Sequence, residues 1–277
     1  MVDATHDTLD VLARHGGREV PALSLTDEEL YVVTAAVPPE ERLIPLSYLE
    51  DLPDEHRIVA ARSAYRSLSV RGLVAHVSDD RTMETSEQHV ELEVQAPLVT
   101  VADALEAPGQ RVLAYRTTGD VLHQRASITL EGRGAVVQVA QGGAHRFWFL
   151  DVVDACEELV GFIDPFGVAG DGPDQELARG PRDAPPAAWE ELRRHVDEGA
   201  PHTRIVAGTE DADEVLDLLF LTSDDGLWLL TGAPGGGSPG GGPDELIVRR
   251  LSTGSLLLTS ADLLGLRERL LATVGTR

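Results

Sequence analysis

Apolar and polar residues alternate through residues 127–140, with a turn signal at Gly132-Arg133-Gly134, and apolar stretches flank a second turn signal, Asp224-Asp225-Gly226, through residues 217–232. Strand-like stretches broken by Gly-containing turns predict two β-hairpins. Both sit in the same setting. The first follows a strand-like stretch at 112–116 and leads to a strand at 145–150 and an apolar-faced helix at 151–163. The second follows a strand at 203–207 and leads to strands at 245–251 and 255–259, then a closing helix at 261–274. One sheet-plus-helix unit is therefore written twice. Each copy must bury a sheet face against a neighbour, which favours a pseudo-symmetric scaffold that holds something over an enzyme.

The part before the repeat is helical. Thr26 and Glu29 have the spacing of a capping box, and Leu30, Val33 and Val37 follow at helical intervals up to Pro38-Pro39. A short helical turn is expected at 46–52. A longer helix from about 54 to 72 carries Ile58, Ala61, Tyr65 and Leu68 on one stripe, with Gly72 as its C-terminal cap. Its run into a strand gives this region a winged-helix-like look. A polar loop at 79–87, a strand at 90–94 and a helix at 98–105 complete the approach to the first copy. Residues 166–186, rich in Gly, Pro and charge without a period, read as an exposed linker, and a helix at 189–196 opens the second copy. The expected class is α+β, divided into a helical, winged-helix-like cap at 1–95, a first sheet-and-helix subdomain at 96–165, the linker at 166–186 and a second subdomain at 187–277.

Composition adds a compartment and a charge. With 277 residues and 42% hydrophobic content, the chain is long enough to bury a sizeable core. It has no apolar run of membrane-spanning length, and its first residues lack a basic region followed by an apolar one, so a cytoplasmic protein is expected. The single cysteine, Cys156, shares a helical face with Val152, Val153, Leu159, Val160 and Ile163 and reads as a small buried hydrophobe. The formal charge is −24, from 47 acidic residues against 23 basic ones, all of them arginine. Such a surface repels a phosphate backbone. Nucleic acid is not an expected partner, although Arg57, Arg62, Arg66 and Arg71 decorate the long helix of the cap.

No constellation carries catalytic chemistry. The nine histidines never occur as HxH or HExxH or with a second cysteine, and no G-x-S-x-G elbow is present. The Gly-rich stretch 232–243 lacks the Lys-Ser/Thr and helix that a phosphate loop needs, and reads as a hairpin extension. No enzyme activity, catalytic residue, metal or cofactor is expected.

Several stretches resemble one family: the cap ending "SLSVRGLV", the two sheet-and-helix halves, and the C-terminal "GLWLLTG" followed by "ELIVRRLSTGSLLLTSADLLGLRERLLATV". Their element order, from about residue 25 to 274, resembles the EspG family of chaperone-like proteins associated with type VII (ESX) secretion. The resemblance implies a non-enzymatic, quasi-two-fold cytosolic protein that holds the exposed apolar tip of a helical secreted protein or pair of the PE/PPE type. It carries over no contact residue. A platform for such a tip needs exposed aromatics rimmed by arginine, and the candidates are Trp228 beside Arg249 and Arg250, and the run Phe147, Trp148 and Phe149. Self-association into a homodimer is compatible with this reading. The alternative is a winged-helix transcription regulator whose back half senses a ligand or dimerises; a third is an acidic module that captures a basic protein.

Overall fold

The computed structural model describes residues 17–35, 46, 49, 51–76, 92–106, 110–130, 134–181, 187–208, 216–224, 226–232 and 245–274. Residues 47, 48 and 50 of the helical turn expected around 46–52 lie outside these residues, and the 79–87 loop, the turn at 132–133, the end of the linker and the Gly-rich stretch from 233 to 243 lie outside them entirely. The chain divides into two units, residues 1–107 with 136–150, and residues 108–135 with 151–277. These follow proximity in space, whereas the subdomains expected from the sequence follow the chain.

The first unit begins with β1 (Leu23–Thr26) and α1 (Asp27–Val33). The capping box forms as its spacing predicts: the Glu29 N–H donates to Thr26 Oγ1 at 3.2 Å and the Thr26 N–H donates to Glu29 Oε2 at 3.0 Å. Helix α2 (Asp54–Val70) packs on α1 and buries Ala64 and Leu68. It ends at Gly72, whose φ of 70° only glycine adopts without strain. There Leu73 N–H reaches Leu68 O and Gly72 N–H reaches Ser69 O, which satisfies carbonyls the helix would leave orphaned. The chain then forms β2 (Val74–His76), which pairs antiparallel with β3 (Leu92–Val94), and α3 (Ala96–Glu106).

Beyond α3 the element order ββββα occurs twice. The first set is β4 (Arg111–Thr118), β5 (Val121–Leu130), β6 (Gly134–Gln141), β7 (Ala144–Asp151) and α4 (Val152–Ile163). The second, after β8 (Gln175–Pro181) and α5 (Ala187–Asp197), is β9 (His202–Gly208), β10 (Leu216–Ser223), β11 (Gly226–Gly232), β12 (Glu245–Leu251) and α6 (Thr253–Leu263), followed by α7 (Arg267–Val274). Within the first unit the neighbours run β1-β7-β6; within the second they run β5-β4-β9-β10-β11-β12-β8. The pairings β1–β7, β4–β5, β4–β9, β9–β10, β10–β11, β11–β12 and β12–β8 are all antiparallel. The protein is an α+β protein built on a large antiparallel sheet.

Two expectations are corrected. Residues 255–259 are not a strand but part of α6. Ser252 caps that helix by accepting the Ser255 N–H at 3.2 Å, and Leu256, Ser260, Ala261 and Leu263 are buried at helical spacing. The run Ser-Leu-Leu-Leu-Thr looks strand-like only while its cap goes unread. The single closing helix is in fact two, broken at Gly265 with φ 64°, where Leu266 N–H closes onto Ala261 O at 2.7 Å. With both corrections the second copy matches the first more closely than its sequence does. The stretch read as a linker also contains β8, an edge strand. Its one fully exposed face, its scarcity of apolar residues and its terminal Pro181 are how an edge strand disguises itself as a loop.

Candidate protein-binding surface

Alternation gives the strands of the second unit two faces. Val112 and Ala114 on β4, Ile205 and Ala207 on β9, and Leu218 and Phe220 on β10 are buried on one of them. Helix α4 lies over that face. Arg116 and Arg125 each stack 4.8 Å from the ring centre of its Phe162, Arg116 Nη1 donates to Phe162 O at 3.1 Å, and Arg125 pairs with Glu158. Burial pushes both guanidinium pKa values down, with Arg116 lowered further by Arg125 and Arg125 pulled back up by Glu158.

The opposite face carries two cross-strand rows. One runs Leu122, Thr117, His202, Leu221, Trp228, Arg250. The next runs Gln124, Tyr115, Arg204, Leu219, Leu230, Val248. Strands lie roughly 4.8 Å apart, so each row crosses about 24 Å of sheet. Helix α5 covers the β10 to β12 end, packing Leu192, Trp189 and Val196 against Leu221, Leu230 and Val248. The β5, β4 and β9 end stays partly open: Leu122 and Arg204 are exposed, and Gln124, Tyr115, Thr117 and His202 are half-buried.

Charge on that open end is already organised. Arg204 Nε donates to Asp217 Oδ1 at 2.9 Å and Arg204 Nη2 to Asp217 Oδ2 at 2.7 Å, a two-pronged pair whose side chains remain 60% and 51% exposed. The Arg204 hydrogen bonds hold the Asp217 carboxyl below its ordinary range, and burial pushes the Tyr115 phenol above its own, with Arg204 opposing. Neither group changes charge near neutrality. An aliphatic and aromatic platform with a preformed ion pair suits a protein surface better than proton transfer.

The aromatic and arginine candidates separate. Trp228 is half-buried, donates Nε1–H to Ser223 Oγ at 2.9 Å and has the Arg250 guanidinium 6.0 Å from its ring, so these two sit together at the α5 end of the surface. Arg249, the next residue along β12, points to the opposite face, 3.9 Å from Glu176, and is not beside Trp228. In the first unit Phe147 and Phe149 are both 0% exposed and belong to the core, which removes them from any contact surface; Trp148 faces the other way and is half-buried. Sequence reasoning does not find Tyr115, Arg204 and Asp217. They lie on three strands, and only the β4–β9–β10 register brings them together; the one signal in the sequence is polar positions within otherwise apolar strands.

Two other polar groups look chemical and are structural. His145 Nε2 lies 2.7 Å from Asp27 Oδ1 and His145 Nδ1 lies 2.9 Å from Gln138 Nε2, a chain that ties the start of α1 to β6 and β7. His145 is 2% exposed and burial lowers its pKa despite the Asp27 contact, so it stays neutral there, and no nucleophile among the described residues completes the chain. The Cys156 thiol is fully buried and pushed up to about 11 by burial, Glu157 and Asp151, the reverse of what a reactive thiolate needs. Among the described residues no cluster of three His, Cys, Asp or Glu side chains could hold a metal, and no helix is long and apolar enough to cross a membrane.

No protein-family model and no curated protein matches the sequence. Solved structures do match. The Mycobacterium tuberculosis type VII secretion system chaperone EspG5, determined in complex with a PE25-PPE41 dimer, aligns over 87% of this chain and 95% of its own, with a TM-score of 0.51 and 11% identity. The chain has the EspG5 fold. At that identity the likeness is one of architecture, and no contact residue passes from EspG5 to this protein. The element order of the sequence points to the same fold, and the two corrected helices do not disturb it.

Proposed function

We propose that the protein is a non-enzymatic chaperone or adaptor that holds the apolar part of a helical secreted protein or protein pair, PE/PPE-like or related. The observation that carries this reading is the EspG5 fold over nearly the full length of both chains, EspG5 being a chaperone whose structure was determined with a PE25-PPE41 dimer bound. The open end of the sheet in the second unit supports it. Leu122 and Tyr115 offer apolar area, and the Arg204 and Asp217 fork offers both signs of charge at fixed spacing, while Trp228 and Arg250 border the same face. Because the fork is already ordered, a partner gains contacts there without the cost of freezing long side chains.

The test is co-expression with a helical client pair that is insoluble alone. Chaperone activity predicts a soluble one-to-one complex that survives size exclusion at about 0.15 M and about 0.5 M salt, and Arg204→Glu or Tyr115→Ala should weaken it at least about tenfold. A client that stays insoluble, or a complex indifferent to both substitutions, overturns the reading. Salt-sensitive retention of duplex DNA in place of the client would favour the regulator.

A further inference from the structure

Helix α2 has two faces of opposite character. At about 100° per residue, Ala64 and Leu68 point toward α1, while Glu55, Val59, Arg62 and Arg66 fall within an arc of about 60° on the far side. Ile58 and Val70 flank that arc. Ile58, Val59 and Val70 are 52%, 62% and 88% exposed, and Glu55, Arg62 and Arg66 are exposed as well. The solvent side of a helix is ordinarily polar and filled with good helix formers. Here it spends three β-branched residues, which lower helix propensity and leave apolar surface in water.

The charges on this stripe are ordered by sign. Glu55 stands in the first turn and Arg62 and Arg66 in the second half, with Val59 between them. None of the three charged side chains has a partner among the described residues, unlike Arg57, paired with Asp54, and Arg71, paired with Glu29. A stripe that is acidic at one end, apolar in the middle and basic at the other is complementary to itself when reversed. We propose that this face pairs with the same face of a second copy, the two α2 helices antiparallel about a two-fold axis passing between residues 60 and 61.

That register sets Glu55 against Arg66 of the second copy and Arg66 against its Glu55, with Val59 packed on the stem of its Arg62. An isologous contact of this kind uses each interaction twice and closes at a dimer. Antiparallel alignment also sets each helix's positive end beside the other's negative end. The contact spans about 16 Å of helix from Glu55 to Arg66, a single element on each side. It therefore falls short of the roughly 1,600 Å² of a standard interface and gives a weak dimer, with a Kd on the order of micromolar.

The test is sedimentation velocity on the full chain from about 1 to about 200 μM. The wild type should shift from monomer toward dimer over that range. Glu55→Arg alone and Arg66→Glu alone each set like charges against each other and should raise the Kd at least about tenfold. Both positions are exposed, so far-UV circular dichroism should show both variants folded. An equimolar mixture of the two single variants regains both ion pairs and should dimerise as the wild type does, as should the double variant Glu55→Arg/Arg66→Glu. A wild type that stays monomeric at the highest concentration, a dimer indifferent to either reversal, or a mixture that stays monomeric while both single variants are folded overturns the proposal.

Discussion

Arg71→Ala should destabilise the first unit and weaken its pH dependence. Glu29 is 1% exposed, and its Oε2 accepts from the Thr26 N–H at 3.0 Å and from Arg71 Nη1 at 2.6 Å. Burial works to raise its pKa, but hydrogen bonds from Ser67, Arg71 and Thr26 outweigh it and hold the carboxyl below its ordinary value of 4.5. A carboxyl depressed in the folded state contributes stability above its ordinary pKa that is lost as pH falls through the folded pKa. Removing Arg71 leaves a buried carboxylate with its main countercharge gone. The loss from breaking such a pair is about 3 to 5 kcal/mol when both partners are buried. Arg71 is 39% exposed and its share is partly screened, so about 2 to 3 kcal/mol is expected at about pH 7.

The same substitution leaves burial opposed only by the Ser67 and Thr26 hydrogen bonds, so the Glu29 carboxyl in the variant should titrate above its value in the wild type. Protonation then costs the variant less than the wild type, and the difference between them should shrink as pH falls toward about 4. Urea unfolding followed by circular dichroism and tryptophan fluorescence, at neutral pH and near the acid end of that range, measures both values. Glu29→Gln in the Arg71→Ala background should recover most of the neutral-pH loss, since an amide needs no countercharge. A neutral-pH loss below about 1 kcal/mol, or one that does not change with pH, refutes the reasoning.

Three further outcomes follow from the same geometry. Stability should fall as pH drops below about 6.5, because unfolded histidine takes up protons that buried His145 refuses, and His145→Gln should flatten that slope in pH-dependent melting curves. Cys156 should resist a thiol reagent at mildly alkaline pH in the folded protein and react at once in denaturant; rapid native labelling would contradict a thiol held at about 11. Phe220→Ala, which empties a fully buried site on β10, should cost about 3 to 5 kcal/mol by chemical denaturation, whereas Arg204→Ala at the exposed fork should cost less than about 1 kcal/mol.

Features set by contacts over short distances along the chain are legible in the sequence. Thr26 and Glu29 cap α1 because three residues separate a hydroxyl and a carboxylate at a helix start, and Gly72 ends α2 because no other residue takes its backbone angle cheaply. Alternation places the hairpin strands, since a strand that buries one face must alternate. The doubled sheet-plus-helix unit and the α+β class follow from these local patterns. Where local signals conflict, the pattern misleads: a Leu-rich run passes for a strand unless its Ser252 cap is weighed, and β8 passes for a linker because edge strands need no apolar face.

Tertiary structure alone decides which residues meet. Trp228 and Arg250 share a face while Arg249 does not, because β-strand neighbours point to opposite sides. Phe147 and Phe149 belong to the core, although their sequence is as aromatic as any exposed platform. Tyr115, Arg204 and Asp217 converge only through strand register, and the outward stripe of α2 becomes visible only once its inward face is known. Sequence determines periodicity and caps because both are set by contacts within a few residues. The composition of a surface depends on which face a neighbour covers, and that is settled between segments far apart in the chain.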